Sequence, residues 1–290
     1  MQKSNPKKPI FKEQSQTIPG LESRMDPLPV FDDLKTPAGH KLLHKKCIIT
    51  GGDSGIGRAV AIAFAKQGAD VAIIHHTSEK PDAEFTAKYI HDNYKRECIL
   101  VPTDISKENN CKKAIQQILK TFDSVDILVN NAAVQYPVKN ITEIGSEKLM
   151  ETFSVNILAM FWITIAVLPQ IPKGGCIINT TSVTAYRGSS GLIDYSSTKG
   201  AIVSFTRSLS TNLIEKGIRV NGVAPGPVWT PLIPASFPPE EVAKFGTDCP
   251  MKRPAQPIEI APAYVFLASR DASFISGQII HVNGGEIING

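Results

Sequence analysis

The feature that most constrains this chain is a glycine-rich turn between a short β-rich run and an apolar helix. Cys47–Thr50 leads into Gly51-Gly52-Asp53-Ser54-Gly55-Ile56-Gly57-Arg58, and Ala59-Val60-Ala61-Ile62-Ala63-Phe64 follows at once. Glycine supplies the backbone freedom of so sharp a turn, because no Cβ forbids unusual dihedrals. The first N–H groups of a helix have no intrahelical acceptor and carry partial positive charge, so a phosphate can approach them wherever no side chain intervenes. A strand before and a helix after make this a candidate dinucleotide site rather than a plain connecting turn, with Gly51, Asp53, Ser54, Gly55, Ile56 and Gly57 as its contacts.

The same alternation runs on. β-rich runs fall at Cys47–Thr50, Asp70–His75, Cys98–Pro102, Ile127–Asn130, Cys176–Thr180, Arg219–Ala224 and Gln278–Val282. Helix-length segments lie near Gly57–Gln67, Ala83–Tyr94, Glu108–Phe122, Ser146–Leu168, Ser196–Lys216 and Ile258–Ala268. Such βαβ units, with right-handed crossovers, put helices on both faces of a parallel sheet. The predicted fold is a single α/β domain over residues 45–290, a Rossmann-like doubly wound seven-stranded parallel sheet. Residues 225–256 break the pattern with eight prolines and read as a substrate loop. Trp229, Phe237 and Phe245 are its candidate apolar wall residues, set against ordinary packing for any one of them.

Residues 1–44 form a Pro-rich N-terminal arm, with Pro6, Pro9, Pro19, Pro27, Pro29 and Pro37 and no sustained period. Such a composition also suits a disordered leader, but Ile18, Leu21, Met25, Leu28, Val30 and Phe31 are more apolar anchors than a free linker carries, so an arm lying on the domain or on a partner subunit is expected. Residues 1–46 hold nine basic and five acidic side chains while the rest balances at 22 against 22, which gives nucleic acid little to bind. No run of about 18 consecutive apolar residues occurs and no basic-then-apolar leader opens the chain, so neither a membrane span nor export is expected. Cys47, Cys98, Cys111, Cys176 and Cys249 show no CxxC spacing, which favours reduced thiols in a cytoplasm over disulfides or a metal site.

In doubly wound sheets a carboxylate at the end of the second strand binds the adenosine ribose hydroxyls and repels a 2′-phosphate. Here that strand ends Ile74-His75-His76-Thr77-Ser78, with neither a carboxylate nor an arginine. The reading is NADP with NAD tolerated; His75 and His76 are either cofactor contacts or solvent-facing strand-end residues.

Tyr195-Ser196-Ser197-Thr198-Lys199 stands at the start of a helix. Residues four apart share a helix face, and a cation beside a phenol favours the phenolate, lowering the tyrosine pKa toward neutral proton transfer. Alone, such a pair is usually a solvated face. Ser182, at the end of the apolar strand Cys176-Ile177-Ile178-Asn179-Thr180-Thr181, lies where doubly wound sheets place ligands. With these residues the sequence resembles the short-chain dehydrogenase/reductase family from about Lys45 to Gly290. The matching pieces are Thr50–Gly57, Asp104, Asn130-Asn131-Ala132-Ala133, Asn156, Ser182, Tyr195, Lys199, Pro225-Gly226 with Thr230, and Gly277-Gln278 through Asn283-Gly284-Gly285.

The resemblance implies Tyr195 as proton donor in carbonyl reduction and acceptor in alcohol oxidation, with Lys199 lowering its pKa and binding the nicotinamide ribose. It implies Ser182 on the substrate oxygen and Asn156, in a kinked helix, holding a water that links Lys199 to solvent. Asp104 and Ile105 would lie at the adenine, Asn131, Ala132 and Ala133 along the adenosine side, and Pro225, Gly226, Val228 and Thr230 around the nicotinamide. Ala133 stands where the family usually has glycine. The Gly-Gly-Asp-Ser-Gly-Ile-Gly turn and the leader Pro19-Gly20-Leu21-Glu22-Ser23-Arg24-Met25 resemble a bacterial subgroup of general stress and uncharacterised oxidoreductases. An NADP- or NAD-dependent alcohol dehydrogenase or carbonyl reductase acting on a small molecule, cytoplasmic and homotetrameric, is therefore expected. The alternative is a cofactor-binding redox sensor or scaffold, whose mark would be loss of Tyr195 or Lys199; a nucleotide-sugar dehydratase or epimerase usually has a larger C-terminal region.

Overall fold

A computed structural model describes residues 9–288. The first eight residues of the expected arm, Pro6 among them, lie outside the described residues. Seven strands, β1 (Lys46–Thr50), β2 (Asp70–His75), β3 (Cys98–Pro102), β4 (Ile127–Asn130), β5 (Cys176–Thr180), β6 (Arg219–Pro225) and β7 (Ile279–Val282), form one sheet in the order β3-β2-β1-β4-β5-β6-β7. All its pairings are parallel. The chain's helices are α1 (Gly55–Lys66), α2 (Lys80–Tyr94), α3 (Glu108–Ile118), α4 (Ser146–Phe153), α5 (Ala159–Val167), α6 (Thr184–Arg187), α7 (Ile193–Leu213), α8 (Leu232–Ser236), α9 (Pro239–Val242) and α10 (Pro257–Ala268).

A sheet covered on both faces needs apolar residues at successive positions, and the strand period of two sorts them between the two cores. In β1, Cys47 and Ile49 join one apolar cluster with Val60, Phe64 and Tyr264, while Ile48 joins the other with Ile115, Ile163 and Val220. The strands of the sequence reading recur within a residue at each end. The helices differ more. α1 begins at Gly55 rather than Gly57, and the expected helix Ser146–Leu168 is broken by a π-helical turn at Ser154–Leu158.

Residues 225–256 are less irregular than expected, since α8 and α9 lie within them. Proline suits the first turn of a helix, where its missing N–H has no partner to lose, so Pro238 and Pro239 open α9 instead of preventing it. The helical stretch Ser146–Gln170, which contains an 18-residue window of mean hydropathy 1.8, is long and apolar enough to cross a membrane by length and composition, which a count of consecutive apolar residues does not show. Ile157, Met160, Ile163 and Val167 on it are nevertheless buried inside the domain.

The described part of the arm runs over the domain surface. The Ile10 and Phe11 amides both donate to Ala243 O, the Gln16 amide donates to Pro234 O, and Phe11 stacks on Trp229 with ring centroids 3.9 Å apart. Further on, Lys66 Nζ donates to Asp32 Oδ1 at 3.0 Å, so the arm also grips the end of α1.

Between the two cores the sheet carries a polar rung. Asn130 Nδ2 donates to Asn179 Oδ1 at 2.9 Å across β4 and β5, and Asn179 Nδ2 donates to Thr206 Oγ1 of α7 at 2.9 Å, all three residues being buried. Removing one member strands buried polar partners. Asn179→Ala is expected to lower the unfolding free energy by about 1–3 kcal/mol, read as a lower urea midpoint; an unchanged midpoint would show that the rung carries no stability.

Candidate active site

All the strand carboxyl ends face one side, and the sheet order reverses between β1 and β4, which opens a crevice there. The cleft at this place has a volume of about 1220 Å³. Two bonds to the Thr50 hydroxyl hold the crevice: the Asn131 amide at 2.9 Å and the Ala132 amide at 3.0 Å. Asn131 Nδ2 adds a bond to Gly51 O at 3.2 Å.

Gly51, Asp53, Ser54, Gly55 and Ile56 line the cleft, and Gly57 stands behind them. A Cβ at Gly57 would fall 1.8 Å from Gly51 O, so this close approach requires glycine; Gly55, at φ +53°, requires it for its dihedrals. Ser54 makes no side-chain cap at the start of α1, and the N–H groups of Ile56 and Gly57 have no acceptor among the described residues.

His75, His76, Asp104, Ile105, Asn131, Ala132 and Ala133 also line the cleft, so the alanine at 133 leaves the channel open. The strand end is not free of carboxylates, however. The 3₁₀ turn Thr77–Glu79 folds Glu79 back so that its Oε2 accepts from the His76 amide at 3.1 Å, and Glu79 joins the lining. Burial pushes Glu79 up to about 8, and the charge of Asp53 pushes the same way. Asp53 is itself buried with neither carboxyl oxygen hydrogen-bonded, and burial raises it above the usual carboxylate range. The absence of an acidic residue within Ile74–Ser78 hid Glu79, because a short turn returns a residue that lies beyond the strand end.

At the other end, β5 delivers Ser182 and α7 delivers Tyr195 and Lys199 into the same space. Lys199 is buried and its Nζ donates to Thr180 O at 2.9 Å, while the Thr181 hydroxyl donates to Lys199 O at 2.8 Å. The expected fall in the tyrosine pKa is not what these surroundings produce. Burial pushes the Tyr195 phenol up to about 12, with a Ser182 hydrogen bond pulling down, and burial pushes the Lys199 ammonium down to about 7. Lys199 Nζ lies 5.3 Å from the Tyr195 ring centroid, and desolvation disfavours both charges more than their proximity helps either.

Asn156 is fully buried in the π-helical turn and does not line the cleft. Its Oδ1 accepts from the Val134 amide at 2.8 Å and its Nδ2 donates to Val134 O at 2.9 Å, so its side chain pins the segment after β4. Pro225, Gly226, Val228 and Thr230 border the cleft, as do Phe237 and Phe245. Trp229 does not: it is fully buried beneath the arm, with Nε1 donating to Pro27 O at 2.8 Å. Sequence reasoning also missed Gln135 and the arm residues Ile18, Pro19 and Gly20 as lining; apolar anchors in a Pro-rich leader were their only signal. No group of three or more His, Cys, Asp or Glu side chains able to hold a metal occurs among the described residues.

A doubly wound sheet with a glycine-rich turn at its switch point and a Ser–Tyr–Lys cluster at the other end of the same cleft defines a Rossmann-like oxidoreductase. The family model described as enoyl-(acyl carrier protein) reductase matches residues 51–286. An uncharacterised oxidoreductase of Bacillus subtilis (strain 168) is 56% identical over 93% of this chain and 93% of the relative. The glucose and ribitol dehydrogenase of Daucus carota is 49% identical over 97% of this chain and 98% of that protein. Among solved structures, L-sorbose reductase from Gluconobacter frateurii, complexed with NADPH and L-sorbose, has a TM-score of 0.77 at 28% identity and covers 86% of this chain and 98% of its own. The chain belongs to the short-chain dehydrogenase/reductase family.

Proposed function

We propose that the chain is an NAD(P)-dependent dehydrogenase/reductase that interconverts an alcohol and its aldehyde or ketone, with residues 1–44 as an arm, 45–290 as one catalytic domain and 225–256 as the substrate loop. The observation that carries this reading is the convergence of Ser182, Tyr195 and Lys199 at the end of the cleft opposite the glycine-rich turn. The dinucleotide fits the residues present: the Ile56 and Gly57 amides have no acceptor among the described residues, and the close packing of Gly57 against Gly51 O, which only glycine permits, draws the turn tight at the start of α1. A bound nicotinamide supplies or accepts the hydride.

The protein's own groups handle the oxygen. In reduction Tyr195 Oη gives its proton to the oxygen that becomes the hydroxyl, and the Ser182 hydroxyl donates to that same oxygen as negative charge grows on it. A phenol held protonated by burial suits the acid role. An ammonium has three donors, and Thr180 O takes one of those on Lys199, leaving the others for ribose hydroxyls. Asn156 keeps the Ala132–Val134 wall in place. Pro225, Gly226, Val228 and Thr230 border the nicotinamide end, Asp104 and Ile105 the adenine. The relatives named for glucose and ribitol and for L-sorbose support a sugar or polyol as substrate. All five cysteines are free thiols, which supports a reducing, cytoplasmic setting.

Tyr195→Phe is expected to lower kcat by about 10²–10⁴ with cofactor still bound, followed by nicotinamide absorbance with sugars, polyols and short aldehydes. Cofactor binding without turnover of any of these by the wild type would favour the redox-sensor reading. At the adenosine end a protonated Glu79 tolerates a 2′-phosphate and an ionised one repels it, and with Glu79 at about 8 the change falls just above neutrality. The affinity for NADP relative to NAD should therefore fall between pH 7 and 9; a constant ratio in calorimetric titrations would exclude this role for Glu79. Met150, Phe161 and Ile165 stand exposed on the helical stretch 146–170, which supports the homotetramer, and a monomeric mass in light scattering at micromolar concentration would reject it.

A further inference from the structure

The start of α1 is finished by a residue that comes from outside the domain. α1 has no acidic residue in its first turn and no side-chain cap from Ser54. Instead Glu22 of the arm, 1% exposed, reaches across, and its Oε2 accepts from the Gly55 amide at 2.6 Å. Its Oε1 accepts from Arg58 Nη1 at 2.5 Å, while its own amide donates to Asp82 Oδ2 at 2.7 Å. Arg58, also buried, donates through Nε to Asp53 O at 2.8 Å and pairs through Nη2 with Asp82 Oδ1 at 3.1 Å. One carboxylate therefore holds the turn from two sides: directly at Gly55, and through Arg58 at the carbonyl of Asp53.

The arm is built to deliver it. Gly20 lies so close to the loop after β6 that a Cβ there would sit 2.5 Å from Pro231 O, and Thr230 of that loop would lie 3.1 Å from a Cβ on Gly55. Arm, substrate loop and glycine-rich turn thus meet at one point. Removing the Glu22 carboxylate would leave Arg58 short of a partner in a buried place and free the Gly55 amide, and a glycine at φ +53° has many other dihedrals open to it.

We propose that Glu22 is a positioning residue of the cofactor site: by fixing the Gly55 amide and Arg58, it keeps the neighbouring Ile56 and Gly57 amides presented to the cofactor pyrophosphate. The proposal rests on the cofactor reading above. It makes the N-terminal arm a part of the dinucleotide site and not only a surface brace.

The test measures the dissociation constants of NAD and NADP by calorimetry, together with KM for the cofactor, kcat and Tm, for the full chain and three variants. Glu22→Gln loses one of the two accepting oxygens and is expected to raise the cofactor Kd and KM about tenfold with kcat at saturating cofactor within twofold. Phe11→Ala removes the stack on Trp229 and none of the hydrogen bonds of Glu22 or Arg58, and is expected to lower Tm with Kd within twofold. Asp82→Asn weakens the hold on the Glu22 main chain and should raise Kd in the same direction, so it answers the question even where Glu22→Gln fails to fold. A Kd for Glu22→Gln within twofold of wild type overturns the proposal, as does a rise in Kd that follows the loss of Tm equally in Phe11→Ala. A wild type that binds neither dinucleotide overturns the cofactor reading and this inference together, and is distinguished because it needs no variant.

Discussion

In a parallel sheet every crossover must return the chain to the same end of the strands, so all the carboxyl ends lie side by side. In this protein the rest of the site depends on that constraint. The order reverses between β1 and β4, so the loops after those two strands diverge and leave a crevice. The Thr50 hydroxyl holds it at a set width by accepting from the Asn131 and Ala132 amides. The glycine-rich turn borders one end and the Ser182–Tyr195–Lys199 cluster the other, without either region contacting the other in sequence.

Burial governs the chemistry at both ends. Tyr195 and Lys199 are each pushed toward their neutral forms, and so are Asp53 and Glu79. Removing water from a charge costs more than one imperfectly placed neighbour returns. The cluster thus holds a protonated phenol beside an amine whose proton is loosened, and beside the end of β2 stand two carboxyls, Asp53 and Glu79, both shifted toward their protonated forms. Opposite charge at i, i+4 spacing would have produced the reverse, and the distance from Lys199 Nζ to the Tyr195 ring together with its bond to Thr180 O explains why it does not.

The arm joins parts of the site that the domain leaves separate. Phe11 and Met25 pack with Trp229, Ile233 and Val242 of the segment 225–256, and Glu22 enters the turn at Gly55. Each of the eight prolines in 225–256 removes one main-chain donor, and packing under an extended segment adds to the hydrogen bonds that the other residues make. The aromatic stack on Trp229 accounts for a tryptophan that would otherwise read as a wall of the cleft.

The strands, their parallel pairing and the glycine-rich turn were legible in residue order alone, because strand period, crossover length and the dihedral needs of glycine are local properties. Residue order also marked Ser182, Tyr195 and Lys199, since strand ends and helix faces follow from those elements. Long-range packing set which way the ionisation of Tyr195 and Lys199 shifts, pinned Val134 to Asn156, returned Glu79 to the end of β2 and brought Glu22 to the start of α1 from 33 residues upstream. Those outcomes depend on burial and on contacts between distant segments, and neither is written in the spacing of neighbours along the chain.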